Sequence, residues 1–460
     1  MTKLWGGRFT KEMAPEFLEF SESLRVDCRL AAEDICGSLA HATALRSAEV
    51  LSEEDFNALE SAMETIAREI RDGVFPPPSE SAVHEDIHSA VEARLVELCG
   101  EPGRRLHAGR SRNDQVVTDT LLWLRGASRD VRAALRELQS TLVALAETNQ
   151  HLVIPAYTHL QRAQPVLLAH HLLAHFEALD RDVARFEDAA RRADRCPLGA
   201  AACAGSTIPI DRERTAQTLG FARVAENSLD AISSRDWALE FVSGCAIAAG
   251  HLSRIAEEIV LWSSREFSLI SLPDEWCTGS SMMPQKRNPD IAELVRGKTA
   301  RVHGALVTLH SLVKGLPLAY NRDLQEDKEP LFDAADTTRT CAKMLAAAMA
   351  DARFTEPPAT ALDMACATDL AEELVRRGVP FREAHERIGQ LVRALEEDGR
   401  ALDGATDTEL LDAGLAGLDR ALLTARGSIE AKRTLGSTSP AEVQRALTRA
   451  KRRLEAAQTD

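Results

Sequence analysis

The chain has 460 residues, 45% hydrophobic and 27% charged, an ordinary composition with enough apolar material for a sizeable core. Its 71 acidic residues outnumber 55 Lys plus Arg, a formal charge of −16 that repels phosphate backbones and anionic membranes and so excludes nucleic acid as the main partner. No apolar run approaches the roughly 20 residues of a membrane span, Met1 to Gly7 lacks a secretory h-region, and the nine cysteines form no Cys-x-x-Cys pair, so a reduced, cytoplasmic protein is expected.

In chain order, an N-terminal domain is expected over residues 1–112, broken by Phe75-Pro76-Pro77-Pro78-Ser79 and by the turn at Glu101-Pro102-Gly103. Within it, His84-Glu85-Asp86-Ile87-His88 matches H-E-x-x-H, which on a helix would put two imidazoles on one face and suit zinc. A pattern with three fixed positions recurs by chance, and a zinc protease also needs a third ligand. The segment therefore reads as a helix start with polar contacts, and no metal is expected.

Five heptad stripes follow, each putting one seam along a long helix. They run from Val117 to Leu145, Leu168 to Ala190, Trp237 to Trp262, Ile291 to Leu316 and Leu331 to Met349. The fourth carries Lys298 as an off-pattern polar residue, and the second includes His175, four residues after His171, which reads as packed or interfacial. At 1.5 Å per residue such stripes make rods of roughly 30–45 Å, which pack side by side as a bundle. The bundle is placed at residues 113–358 and a small helical C-terminal domain at 359–460, after Glu356-Pro357-Pro358. Alternating strand patterns are nearly absent.

Chemistry is expected in the polar segments between rods. These are Gly109 to Gln115, Tyr157 to Gln161, Thr278 to Pro289, and Tyr320 to Lys328. In the third, Gly279 reads as a site of unusual backbone angles, Ser280 and Ser281 offer hydroxyls and amides, and Lys286 adds a positive charge. An anionic substrate would need such a basic island on so acidic a body.

Gly279-Ser280-Ser281-Met282-Met283-Pro284-Gln285-Lys286-Arg287-Asn288-Pro289 resembles the G-S-S-x-M-P-x-K-x-N-P signature of the fumarase/aspartase superfamily. Almost end to end the chain is similar to its argininosuccinate lyase family: Leu4-Trp5-Gly6-Gly7-Arg8-Phe9, His84 to His88, Gly109 to Gln115, Tyr157 to Pro165 and Tyr320 to Glu329 follow in the family's order. Departures are Ser437 in Gly436-Ser437-Thr438-Ser439-Pro440, where Gly is commoner, and Ser206-Thr207-Ile208-Pro209; neither touches a catalytic position.

The resemblance implies an all-α protein of three helical domains and a reversible elimination of argininosuccinate to arginine and fumarate, with no cofactor and no metal. Carried over by position, Ser280 is the base, and Lys286 and loop amides stabilise its alkoxide. His159 serves the departing nitrogen, and Glu293 holds its other ring nitrogen. Ser23, Arg112, Asn113, Thr158, Arg235, Asn288, Tyr320, Gln325 and Lys328 become substrate contacts. The implied assembly is a homotetramer with sites shared between subunits. A sister lyase for adenylosuccinate or malate would keep Ser280 and Lys286 but not the Tyr320 to Lys328 segment. A non-enzymatic paralogue of the lens crystallin type, or a partner-binding helical scaffold, would not explain the polar segments.

Overall fold

The computed structural model describes residues 13–76 and 84–457; the Leu4 to Phe9 motif lies outside the described residues. The five expected long helices are present at Arg112–Thr148, Leu168–Ala193, Asp236–Ser263, Asp290–Val313 and Lys328–Ala350. We call them the first to fifth long helices. Packing divides the chain into two compact units, one of residues 1–132, 184–247 and 300–338, the other of 133–183, 248–299 and 339–460. Each long helix contributes residues to both.

The first long helix shows why the sequence starts it where it does. Ser111 Oγ accepts from the Asn113 amide at 3.2 Å, and Asp114 Oδ1 accepts from the Ser111 amide at 2.9 Å, a reciprocal cap. Thereafter Val117, Leu121, Leu124, Ser128, Val131, Leu135, Leu138, Leu142 and Leu145 are all buried, so the seam read from the sequence is the packed face. Truncating a fully buried Leu such as Leu138 to Ala costs about 2–5 kcal/mol, so a few such changes would undo the helix.

On the fourth long helix the packed face departs from the stripe by one residue at several points, with Ala292, Thr299 and Ala305 more buried than Ile291, Lys298 and Leu306. Lys298 is exposed and Thr299 buried, and the seam runs through Ala292, Val295, Thr299, Val302 and Leu309. A buried ammonium would be far more costly than a buried hydroxyl, which helix geometry bonds to the Arg296 carbonyl at 2.8 Å.

The second unit holds the one extended hairpin among the described residues, β1 (Val153–Thr158) against β2 (Gln161–Leu167). Its period was invisible in the sequence because Pro155 faces Pro165, the register shifts between Pro155 and Tyr157, and burial does not alternate. At its base, the Leu167 amide donates to Thr438 Oγ1 at 2.7 Å, which gives the Gly436 to Pro440 turn a bracing role. The C-terminal helices Ala367–Arg376 and Phe381–Glu397 close a separate small core with Leu402, Leu410, Leu415 and Leu423.

Candidate functional site

In the first unit a cavity of about 520 Å³ brings together six of the residues singled out from the sequence: Ser23, Arg112, Asn113, Tyr320, Gln325 and Lys328. Arg112 and Asn113 stand there because the capped first turn of the first long helix opens onto it. Asn113 Nδ2 donates to the Ala202 carbonyl at 2.9 Å, and Arg112 Nε pairs with Asp86 at 2.9 Å. Ser23 Oγ donates to Asp27 at 2.5 Å, and Gln325 Nε2 donates to the Ser21 carbonyl at 3.1 Å.

The sequence reading missed the acidic wall of this cavity, namely Asp27, Glu85, Asp86 and Glu92, and also Arg322, which pairs with Glu85 at 2.6 Å. Burial pushes the Asp27 carboxyl up to about 6, with Asp86 adding to the rise and His88 opposing it. Burial also works against Asp86, yet the Arg112 guanidinium and His88 hold its carboxyl below the usual range. The signal was present in the H-E-x-x-H segment, whose neighbours line the cavity. That segment is not one helix face: Asp86 caps the helix Ile87–Cys99, and His84 precedes it.

Arg235 is not among the cavity's lining residues. It is buried, bonded to Asp327 and to the Ile232 and Ser234 carbonyls, and Asp327 in turn holds Lys328 Nζ at 2.9 Å. Burial would raise the Asp327 carboxyl, but Lys328 and Arg235 hold it below the usual range. Arg235 thus anchors the carboxylate that orients Lys328.

The second unit carries Thr158, His159, Ser280, Lys286, Asn288 and Glu293. The loop from Gly279 is closed at its base by Thr278 and Asn288, whose amides donate to each other's carbonyls at 3.1 and 2.8 Å. Inside it, Ser280 Oγ accepts from the amides of Met282 at 3.2 Å and Met283 at 3.1 Å. Two N–H dipoles aimed at one hydroxyl oxygen favour its anionic form. Gly279, read from the sequence as free to take unusual backbone angles, does not have a positive φ, and a Cβ there would meet only the Lys286 carbonyl at 3.9 Å. Lys286 is exposed, and Glu293 lies exposed in the first turn of the fourth long helix.

His159 sits at the exposed tip of the hairpin. It and Leu160 are the two turn residues between Thr158 and Gln161, with φ of 55° and 56°. That is the left-handed pair a tight hairpin turn requires, normally filled by Asn or Gly. Non-glycine residues held there store of order 1–3 kcal/mol each, a cost that clusters at working sites. Among the described residues no hydrogen bond or ion pair joins His159 to Ser280, Lys286 or Glu293 within one chain.

Two clusters have ligand atoms close enough for a metal. Asp34, His88 and Asp119 are fully buried, and His88 Nδ1 lies 3.1 and 3.3 Å from the two carboxylates. Gln115 also donates to Asp34, while Asp34 Oδ2, His88 Nε2 and both Asp119 oxygens are buried with no hydrogen-bond partner among the described residues. The other, His171, His175 and Glu258, lies between the second and third long helices.

A family model described as "Lyase" matches residues 7–304, and one described as "Argininosuccinate lyase C-terminal" matches residues 364–430. The argininosuccinate lyase of Symbiobacterium thermophilum is 49% identical over 97% of this chain and 97% of its own. That of Alkalilimnicola ehrlichii is 49% identical, covering 98% and 97%. Among solved structures, EDDS lyase in complex with formate aligns with a TM-score of 0.83 at 25% identity, covering 98% of this chain and 92% of that one.

Proposed function

The chain belongs to the argininosuccinate lyase family, and from that premise we propose that the Gly279–Pro289 loop supplies the base and the Ser23–Asn113–Lys328 cavity supplies substrate contacts. The protein is a carbon–nitrogen lyase: argininosuccinate gives L-arginine and fumarate by reversible β-elimination, a step of arginine biosynthesis. The chemical difficulty is a carbon acid beside an ionised carboxylate. Its proton leaves only if the resulting dianion is stabilised by oriented donors and cations away from water.

The observation that carries the reading is the pair of amides on Ser280 Oγ. An unperturbed serine is too weak an acid to form an alkoxide, and these amides with the nearby Lys286 charge support that form. Ser280 takes the proton from the succinyl carbon. The electron pair moves into the adjoining carboxylate and then forms the double bond of fumarate as the C–N bond breaks. His159 delivers a proton to the departing guanidino nitrogen, with Glu293 fixing its tautomer. Thr158 and Asn288 flank these groups in sequence and touch the substrate. Arg112, Ser23, Asn113, Tyr320, Gln325 and Lys328 hold its polar ends, and Arg235 acts through Asp327 on Lys328.

Each subunit is read as domains 1–112, 113–358 and 359–460, assembled as a homotetramer in which His159, Ser280 and the Asn113 segment of one site come from different subunits. Nine cysteines, none in a disulfide, support a reducing, cytoplasmic setting.

Fumarate absorbs in the far ultraviolet and argininosuccinate hardly does, so absorbance reads the reaction directly. Argininosuccinate, adenylosuccinate, malate and aspartate offered in turn should give a signal with the first alone. Ser280→Ala should lose at least the roughly 10²–10⁴-fold that a positioned acid–base group contributes. His159→Asn should fall strongly, and Glu293→Gln less. Turnover by Ser280→Ala at the wild-type rate would remove Ser280 as the base.

A further inference from the structure

The second and third long helices run antiparallel through the second unit, because partner numbers fall on one as they rise on the other. His171 packs on Trp262 with ring centroids 4.7 Å apart, His175 meets Glu258, and His251 Nδ1 meets Asp182 at 2.6 Å. One turn of this seam is unlike the rest. His171 and His175, four residues apart on one helix, each place Nε2 2.7 Å from the same oxygen, Oε2 of Glu258.

We propose that His171, His175 and Glu258 form a binding site for a divalent transition-metal ion of the zinc type, separate from the lyase chemistry and independent of its reading. Two imidazole nitrogens and one carboxylate oxygen are a recurrent zinc ligand set, and an i, i+4 histidine pair presents both nitrogens from one helical face. Nitrogen-rich donors favour zinc, cobalt or nickel over magnesium or calcium. The three ligand atoms lie within 4.8 Å of one another. Ligands about 2.0–2.1 Å from a tetrahedral ion stand roughly 3.3 Å apart, so the present contacts open by about 0.6 Å through side-chain rotation. The ion replaces the two contacts to Glu258: each imidazole gives up its Nε2 proton, to solvent or by a tautomer change to Nδ1, and binds the metal through Nε2 with its remaining proton on Nδ1.

Three features prepare the site. Trp262 holds the His171 ring, and the two imidazoles meet edge to face with centroids 5.5 Å apart. Among the described residues no Lys or Arg pairs with Glu258, and although burial opposes its charge, the two histidines hold its carboxyl well below the usual range. All three side chains keep partial exposure, at 26%, 12% and 31%, which leaves a route for the ion and room for a water as fourth ligand. The bound ion would tie the two helices together.

The test uses the full-length protein freed of metal with a chelator, titrated with Zn²⁺ by calorimetry and with Co²⁺ by absorbance. One equivalent per chain is expected, with a zinc-dependent rise in Tm and a tetrahedral Co²⁺ spectrum lacking thiolate charge-transfer bands. His175→Ala should weaken binding by more than the roughly 10–100-fold that loss of an outer-shell partner costs. His171→Gln and His175→Gln keep a donor for Glu258 but remove the metal-binding nitrogen, so they carry the test if an alanine variant fails to fold. Absence of stoichiometric binding, a thiolate spectrum from one of the nine cysteines, or wild-type affinity in the folded glutamine variants would each overturn the site.

Discussion

Two buried histidines of the first unit are driven in opposite directions. Burial would lower His88, but its contacts with the Asp119 and Asp34 carboxylates outweigh it and raise its pKa to about 10. Burial lowers His41 to about 3, helped by the Arg110 charge, while one ring nitrogen contacts the Ala108 carbonyl at 2.9 Å. His88 therefore stabilises the fold fully below the unfolded value of about 6.5, and that contribution is lost as pH rises towards 10. For His41 the unfolded chain binds the extra proton, so stability is lost as pH falls from about 6.5 to 3. His41→Gln, which keeps an amide donor for Ala108, should flatten the acid limb by up to about 1.4 kcal/mol per pH unit relative to wild type. Urea midpoints measured across that range check this; parallel curves for the two proteins would refute it. At this scale the sequence named Asn113 and Lys328 through motifs, whereas the acidic partner Asp27 carries no distinguishing local pattern.

At the scale of elements, the hairpin and the serine loop solve the same problem by different means. The hairpin tip holds His159 by a strained two-residue turn, and the loop holds Ser280 by bonds from its own amides. Leu160 is mostly exposed at φ 56°, so its side chain contributes little burial to offset the strain. Leu160→Gly should leave Tm equal or higher, whereas Leu160→Val should lower stability by about 1–2 kcal/mol, because a β-branched residue suffers most at positive φ. Thermal melts of the two variants decide it, and equal destabilisation by both would show that the turn is not strained. The fourth long helix gives the complementary lesson. A heptad stripe found it, but choosing between Lys298 and Thr299 for the packed face depended on which neighbour was buried.

For the whole molecule, the informative surfaces are apolar and uncovered. Ile247, Leu294 and Val307 on the third and fourth long helices are exposed in the single chain, as are Met282 and Leu160, close in sequence to Ser280 and His159. Such surface on long helices is what a homo-oligomer covers. If sites are shared, Ser280→Ala and His159→Asn, each inactive alone, should regain part of the wild-type activity when mixed, unfolded and reassembled. Some sites in mixed tetramers receive neither defect. Light scattering that shows hybrid tetramers, with activity no higher than either mutant alone, would refute sharing.

Periodicity along the chain determined the five rods, because a long helix repeats its buried positions every three or four residues and needs no distant partner to reveal itself. The motif around Ser280 was legible for the same reason: its bonds are local. The hairpin was not, since Pro155 and Pro165 acquire meaning only when paired across the turn. Nor was the role of Arg235, whose partner Asp327 lies 92 residues away. The two histidines that converge on Glu258 are 83 and 87 residues from it. Contacts at that separation depend on how helices lie against each other, and only tertiary packing decides that.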